Sequence, residues 1–282
     1  MAGLVLEGGA QRCIFTAGVL DFFEDNDIRF PYVIGVSAGA CQAFSYISRQ
    51  RGRNLKVCMD YIRDRRYLSY RQLLRKGELF GMDFVFDKIP KELLPLDFEA
   101  LNNTDQQFVI GVMNCLSGEA EYGSNTDGAD LMAYVRASSS LPMLAKPIII
   151  NSIPYLDGGI VDAIPIKKAI SDGNEKNVVV LTRNEDYRKR YSKAFMMLLK
   201  CVGPKFPAVF EVYEQRHLIY NSTLEEINRL EKSGRIFVIR PQKRIKVTRA
   251  ERNVRLLRDF YDDGYATAAE LNESLQRWLK SE

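Results

Sequence analysis

Ser37 stands in Gly35-Val36-Ser37-Ala38-Gly39, a G-x-S-x-G pattern. A serine on a sharp strand-to-helix turn adopts a strained backbone conformation, so its neighbours must be small. Gly35, Ala38 and Gly39 meet that need, and such a nucleophile elbow lifts the hydroxyl clear of the sheet to attack a carbonyl. A plain glycine–serine turn in a βα unit is the simpler reading, but the apolar run before it and the helical pattern after it favour chemistry. Gly8-Gly9-Ala10-Gln11-Arg12 forms another strand-to-helix turn one unit earlier. Glycines there let backbone N–H groups approach an oxyanion or a phosphate, and Arg12 adds a fixed positive charge. A purely structural turn explains that pair equally well. Asp157-Gly158-Gly159 follows the apolar run at residues 153–156. Asp-Gly between apolar runs is a hairpin signature, and an aspartate on a tight turn can also face a serine as its base.

The chain contains 1 histidine, His217, which excludes metal hydrolases built on several imidazoles. Ser37, Asp157 and His217 do follow the chain order of the α/β-hydrolase triad. Against that triad, the elbow comes on only the second strand, and His217 lies within residues 212–230, a predicted helix. The 5 cysteines, at positions 13, 41, 58, 115 and 201, contain no C-x-x-C pair and read as free thiols of a reducing compartment. No metal and no cofactor is implied. The second strand ends without the carboxylate that a dinucleotide-binding fold places on the ribose. A formal net charge of +4, from 40 basic and 36 acidic residues, gives no basic arm or face, so no nucleic-acid partner is expected. No apolar stretch reaches the roughly 20 residues of a membrane span. Glu7 and the glycine pair come too early for a signal peptide, and the cytosol is the expected compartment.

Apolar runs at residues 4–6 and 31–34, each followed by a glycine turn and a helical pattern, predict βα units and a mostly parallel sheet. Further strands are expected at 108–112, 146–155 and 178–181, with a helix at 130–137. Residues 49–76 read as a basic helix ending near Gly77 or Gly81, and 83–100, with Pro90 and Pro95, as irregular. Beyond Thr182 the pattern turns mainly helical over 187–232, with a strand at 236–239. Two helices follow, 249–261 and 266–279, joined at Asp262-Asp263-Gly264. The expectation is an α/β core over residues 1–182, with a mainly helical region over 183–282 packed on it.

Two stretches set basic residues around apolar ones, 49–76 and 188–213. The second carries Lys189, Arg190, Lys193, Lys200 and Lys205 about residues 195–199 and 206–210. That arrangement suits a lid or a peripheral contact with an anionic membrane. Solvated helix faces packed on the core are the plainer alternative.

Taken in order, Gly8-Gly9-Ala10-x-Arg12, G-V-S-A-G, Ala137-Ser138 with Pro142 and Pro147, and Asp157-Gly158-Gly159 resemble the patatin-like phospholipases. The resemblance implies a three-layer α/β fold and a lipid acyl ester as substrate. Ser37 would be the nucleophile and Asp157 its base, without histidine. Gly8, Gly9 and Ala10 would donate N–H groups to the oxyanion. Glu7 and Cys13 depart from the family's glycines, and Glu7 sets a carboxylate beside the expected oxyanion hole. The alternatives are a Ser-His-Asp esterase using His217 and a non-catalytic lipid-binding protein. The resemblance says nothing of oligomeric state.

Overall fold

The computed structural model describes residues 2–202, 206–243 and 246–281, without the side chains of 194, 198 and 200–202. The expected lipid-facing roles of Lys200 and Lys205, and the thiol of Cys201, therefore lie outside the described residues. Eight strands form one sheet: β1 (Ala2–Leu6), β2 (Tyr32–Val36), β3 (Gln107–Asn114), β4 (Ala120–Ser124), β5 (Ile148–Ile150), β6 (Ile153–Asp157), β7 (Lys176–Val180) and β8 (Ile236–Ile239). Their order is β5-β6-β3-β2-β1-β7-β8, with β4 on β3. The run from β3 to β8 is parallel, and β4, β5 and β6 pair antiparallel.

The helices are α1 (Ile14–Asp25), α2 (Ala38–Ile47), α3 (Arg53–Tyr61), α4 (Tyr70–Lys76), α5 (Phe98–Asn102), α6 (Leu131–Ser138), α7 (Ile166–Ser171), α8 (Lys193–Val202), α9 (Pro207–Lys232) and α10 (Val254–Lys280). Side chains alternate across a strand, and both faces of this sheet are apolar. Leu4 and Leu6 join Phe15, Phe44 and Phe260 in a core beneath α1, α2 and α10. Val5 and Val179 join Ala169, Leu224 and Ile227 beneath α7 and α9 on the other face. Three layers result, as the motif order implied. β8 pairs with β7, so residues 183–282 add a strand to this sheet as well as helices.

Most of residues 83–100, expected to be irregular, is helical, and only 94–97 with Pro95 stay outside a helix. A helix of wide, π-type turns spans Phe84–Leu93 through Pro90, and α5 follows. Burial of Phe84, Phe86 and Ile89 gives that segment its packing, and tertiary context overrides the proline. The strand expected at 146–155 is a hairpin, β5 and β6. Its turn residues Asn151 and Ser152 both carry positive φ, 49° and 68°, as tight hairpin turns demand. Asp157-Gly158-Gly159 is therefore not the hairpin turn; it opens a 3₁₀ turn at the end of β6. β4 had no expected counterpart, and residues 49–76 hold two helices, the second ended by Gly77 in the left-handed region.

The C-terminal helix is continuous, because Gly264 is a crossing point and not a break. A Cβ on Gly264 would lie 2.1 Å from Phe15 O, and one on Gly18 would lie 2.1 Å from Tyr261 O. α1 and α10 thus meet backbone to backbone. Phe15 and Phe260 pack at 5.4 Å beside the crossing, and the Tyr261 hydroxyl donates to Asp21 Oδ2 at 2.6 Å. Overpacking of this kind costs about 1–3 kcal/mol. Gly264→Ala and Gly18→Ala should each lower stability by that amount in urea denaturation. Unchanged midpoints would mean that the two helices can slide apart freely.

Candidate active site

β2 pairs with β3 so that Val36 faces Gly111, while β6 pairs with β3 so that Asp157 faces Val112. β4 occupies the other edge of β3, opposite Val109 to Met113. β2 and β6 therefore share one edge of β3 and run at each other from opposite ends. Ser37, the residue after Val36, meets Asp157 where they stop. Its Oγ donates to Asp157 Oδ2 at 2.9 Å.

The elbow holds Ser37 at φ 54°, ψ −130°, a sparsely populated conformation for a residue with a side chain. Small neighbours make it feasible: a Cβ on Gly35 would lie 2.8 Å from Ala40 N, and one on Gly39 would lie 2.6 Å from Glu7 O. The Ser37 N–H donates to Ser138 Oγ at 2.7 Å, and that hydroxyl donates on to Gly111 O at 2.6 Å. Ser138, at the end of α6, so ties the elbow to β3. The Asp157 N–H is fixed by Ser140 O at 2.9 Å.

Asp157 is 3% exposed, and its Oδ1 accepts the Gly159 N–H at 2.7 Å. Burial raises its carboxyl above the ordinary aspartate range; the charge of Arg216, the Gly159 amide, the Ser37 hydroxyl and the charge of Arg249 oppose that rise. Arg216 is anchored by Nε on Gly159 O at 2.8 Å. His217 packs its ring against Tyr191 at 5.3 Å and makes no hydrogen bond to Ser37 or Asp157.

The glycine turn after β1 reaches the same place. The Gly8 N–H donates to Ala163 O at 3.0 Å, whereas the N–H groups of Gly9 and Ala10 have no acceptor among the described residues. Glu7 is turned away from them. Its Oε2 accepts the Thr182 N–H at 2.6 Å and the Thr182 hydroxyl at 3.0 Å, and its Oε1 accepts the Tyr220 hydroxyl at 2.6 Å. The Cys13 thiol donates to Glu7 O at 3.3 Å. Cys13, Cys58 and Cys115 are buried free thiols, and Cys41 is a half-buried one.

Two cavities open on Ser37 from opposite sides, sharing Ala10, Ser37 and Leu141. One, of about 160 Å³, is apolar and walled by Phe44, Val57, Phe80, Phe86, Ile89 and Val135. The other, of about 30 Å³, holds Arg12, Arg183, Lys189, Arg216 and Arg249. Lys189, expected on an outward face, lies inward with its Nζ 3.8 Å from the Tyr220 ring centre. Burial, Arg216 and Arg249 hold its ammonium well below the ordinary lysine range. Arg183, Arg216 and Arg249 carry no motif, and their sequence separation hid the cluster. The apolar wall drew on the segment expected to be irregular.

A model of the patatin-like phospholipase family matches residues 4–170, more than half of the 282. The chain belongs to the patatin-like phospholipase family. A second model, a domain of unknown function (DUF6363), matches residues 206–280, which span α9, β8 and α10. The uncharacterized protein YjjU of Escherichia coli is 34% identical over 186 residues, 64% of this patatin-like chain and 51% of YjjU. The probable lipid hydrolase 463L of Invertebrate iridescent virus 6 is 24% identical over 197 residues, 62% of this chain and 65% of the viral one. The lysophospholipase nte1 of Emericella nidulans is 28% identical over 175 residues, 58% of this chain and 11% of nte1. The chain spans about half the length of YjjU and a small part of nte1.

If Ser37 is a nucleophile with an ionised Asp157 as its base, turnover should fall as pH drops through the raised Asp157 pKa. Arg216→Gln removes a cation that lowers that pKa. The acid limb of kcat/KM should move to higher pH in this variant. A limb that stayed fixed or moved down would show that Asp157 is not the group titrating.

Proposed function

We propose that the protein is a serine-dependent lipid acyl hydrolase of the phospholipase or lysophospholipase type, acting through Ser37 and Asp157. The observation that carries this reading is the 2.9 Å hydrogen bond from a strained Ser37 to a buried Asp157 at the mouth of an apolar cavity. The acyl chain enters that cavity and places its carbonyl at Ser37. Asp157 Oδ2 takes the hydroxyl proton as Oγ forms the bond to the carbonyl carbon. The negative charge passing to the carbonyl oxygen is held by the N–H groups of Gly9 and Ala10 and by the positive end of α2. Gly8, whose own N–H is engaged, shapes the turn. Collapse expels the alcohol, which receives the proton from Asp157. A water that gives its proton to Asp157 then attacks the acyl-serine, and the fatty acid leaves as Ser37 regains its hydrogen.

The position of His217 supports a dyad over a Ser-His-Asp triad, since Asp157 itself occupies the base's place on Ser37. Ser37→Ala and Asp157→Asn should each reduce hydrolysis of a medium-chain acyl ester at least about a thousandfold. His217→Ala should stay within about twofold of the wild type. A folded but inactive His217→Ala protein would restore the triad. A wild type inert on every chain length would favour a lipid-binding protein.

Membrane contact fits α4 better than the 188–213 stretch. Leu74 is 89% exposed and Tyr70 62% on a helix that also carries Arg71, Arg75 and Lys76, and Tyr67 and Phe80 on either side line the apolar cavity. On α8, Met196 and Leu199 are buried, and Met197 is the exposed apolar residue among those described. Leu74→Ser combined with Arg71→Glu should weaken sedimentation with phosphatidylglycerol vesicles at least about fivefold. Equal sedimentation would remove α4 as the contact.

A further inference from the structure

The smaller cavity is built for an anion. Its five basic side chains come from separate segments: Arg12 after β1, Arg183 and Lys189 after β7, Arg216 on α9 and Arg249 before α10. Some basic side chains elsewhere find carboxylates, as Arg29 does with Glu24 and Arg51 with Asp25. Among the described residues these five pair with none. Arg183 lies over the Tyr187 ring at 4.4 Å, Lys189 over Tyr220 at 3.8 Å, and Arg216 spends Nε on Gly159 O. Arg12 is 7% exposed, and its buried Nε has no acceptor. Two carboxylates share the cavity, Glu7 and Asp157, and both already hold their own donors. A buried guanidinium without a partner is costly, and a ligand bearing oxygens in several directions would relieve it.

We propose that this cavity receives the phosphate of the substrate, and that the preferred substrate is a single-chain acyl ester ending in a phosphomonoester, as in lysophosphatidic acid. The proposal rests on the hydrolase reading above and adds the head group to it. Arginine forks match phosphate oxygens two at a time. A phosphomonoester carries about −1.5 to −2 charges near neutral pH, more than the single charge of a phosphodiester. A choline or ethanolamine head group would bring a further cation among four guanidinium groups. Recognition of quaternary ammonium needs open aromatic faces, and the Tyr187 and Tyr220 faces are taken by Arg183 and Lys189. Size agrees: about 30 Å³ suits a compact group, against about 160 Å³ on the acyl side. Among the described residues one apolar cavity opens at Ser37, and the single acyl chain is assigned to it.

The test compares kcat/KM for lysophosphatidic acid, lysophosphatidylcholine and monoacylglycerol with the same acyl chain. The phosphomonoester should exceed each of the others by at least about tenfold, a discrimination of one strong charge-assisted contact. In Arg183→Gln/Lys189→Gln protein that ratio should collapse by about the same factor. Equal turnover of the three esters would overturn the head-group assignment while leaving the hydrolase intact. Binding is measured independently by calorimetry on Ser37→Ala protein, using decyl phosphate, decyl phosphocholine and inorganic phosphate below micellar concentrations. Decyl phosphate binding tightest supports the assignment even if no ester is turned over. Phosphocholine binding as tightly as decyl phosphate would refute it. Inorganic phosphate binding as tightly as decyl phosphate would make this a free-anion site and refute the lipid head group.

Discussion

Two strands meeting end to end on one edge of β3 set Ser37 against Asp157. That edge has room for both only if β2 stops opposite Gly111 and β6 opposite Val112. The residues at their ends are then forced together, with no flexible loop between either one and the sheet. Ser138 and Ser140 pin the two ends from a third direction, through the Ser37 amide and the Asp157 amide. Groups placed by strand register and fixed by surrounding hydrogen bonds hold position more closely than groups on loops. Asp157 is oriented by Gly159 and by its own strand, which is what the proposed two-residue arrangement needs.

Around this fixed pair the surroundings are opposite in kind. α2, α3, α6 and the segment 80–96 bring apolar side chains to one side of Ser37; the loop after β7, α9 and the segment before α10 bring cations to the other. The loops after β1 and β7 leave toward opposite faces of the sheet, where open α/β sheets form ligand crevices. Glu7 ties that region together. It crosses from the end of β1 to Thr182 beyond β7 and Tyr220 on α9, so a carboxylate that looked like an intrusion acts as the fastening. The C-terminal region is part of this arrangement, through β8 in the sheet and Arg216 and Tyr220 at the site.

Much of this was legible in the sequence, because the relevant signals are local. Small residues around Ser37, a glycine pair after a first apolar strand, and an aspartate after another strand each reflect a steric demand that few residues satisfy. What escaped was encoded at long range. Gly264 looked like a helix stop, since its partner Gly18 is far away in the chain. Pro90 looked like a breaker, since the burial that favours its helix comes from other segments. The cations of the smaller cavity are single residues on separate elements, without spacing or composition to mark them. The direction of Glu7 could not be read without knowing that Thr182 and Tyr220 would surround it.

The shared wall between the cavities has a geometric corollary. Ala10, Ser37 and Leu141 border both spaces, so a molecule with its tail in one and its charged end in the other has its reactive carbonyl held at a set point along its length. The pocket pair then acts as a ruler. Esters of one acid on neighbouring hydroxyls of the same glycerol backbone differ by only one carbon in the span from carbonyl to charged end, and a rigid ruler tells such positional isomers apart by reach instead of by chemical identity.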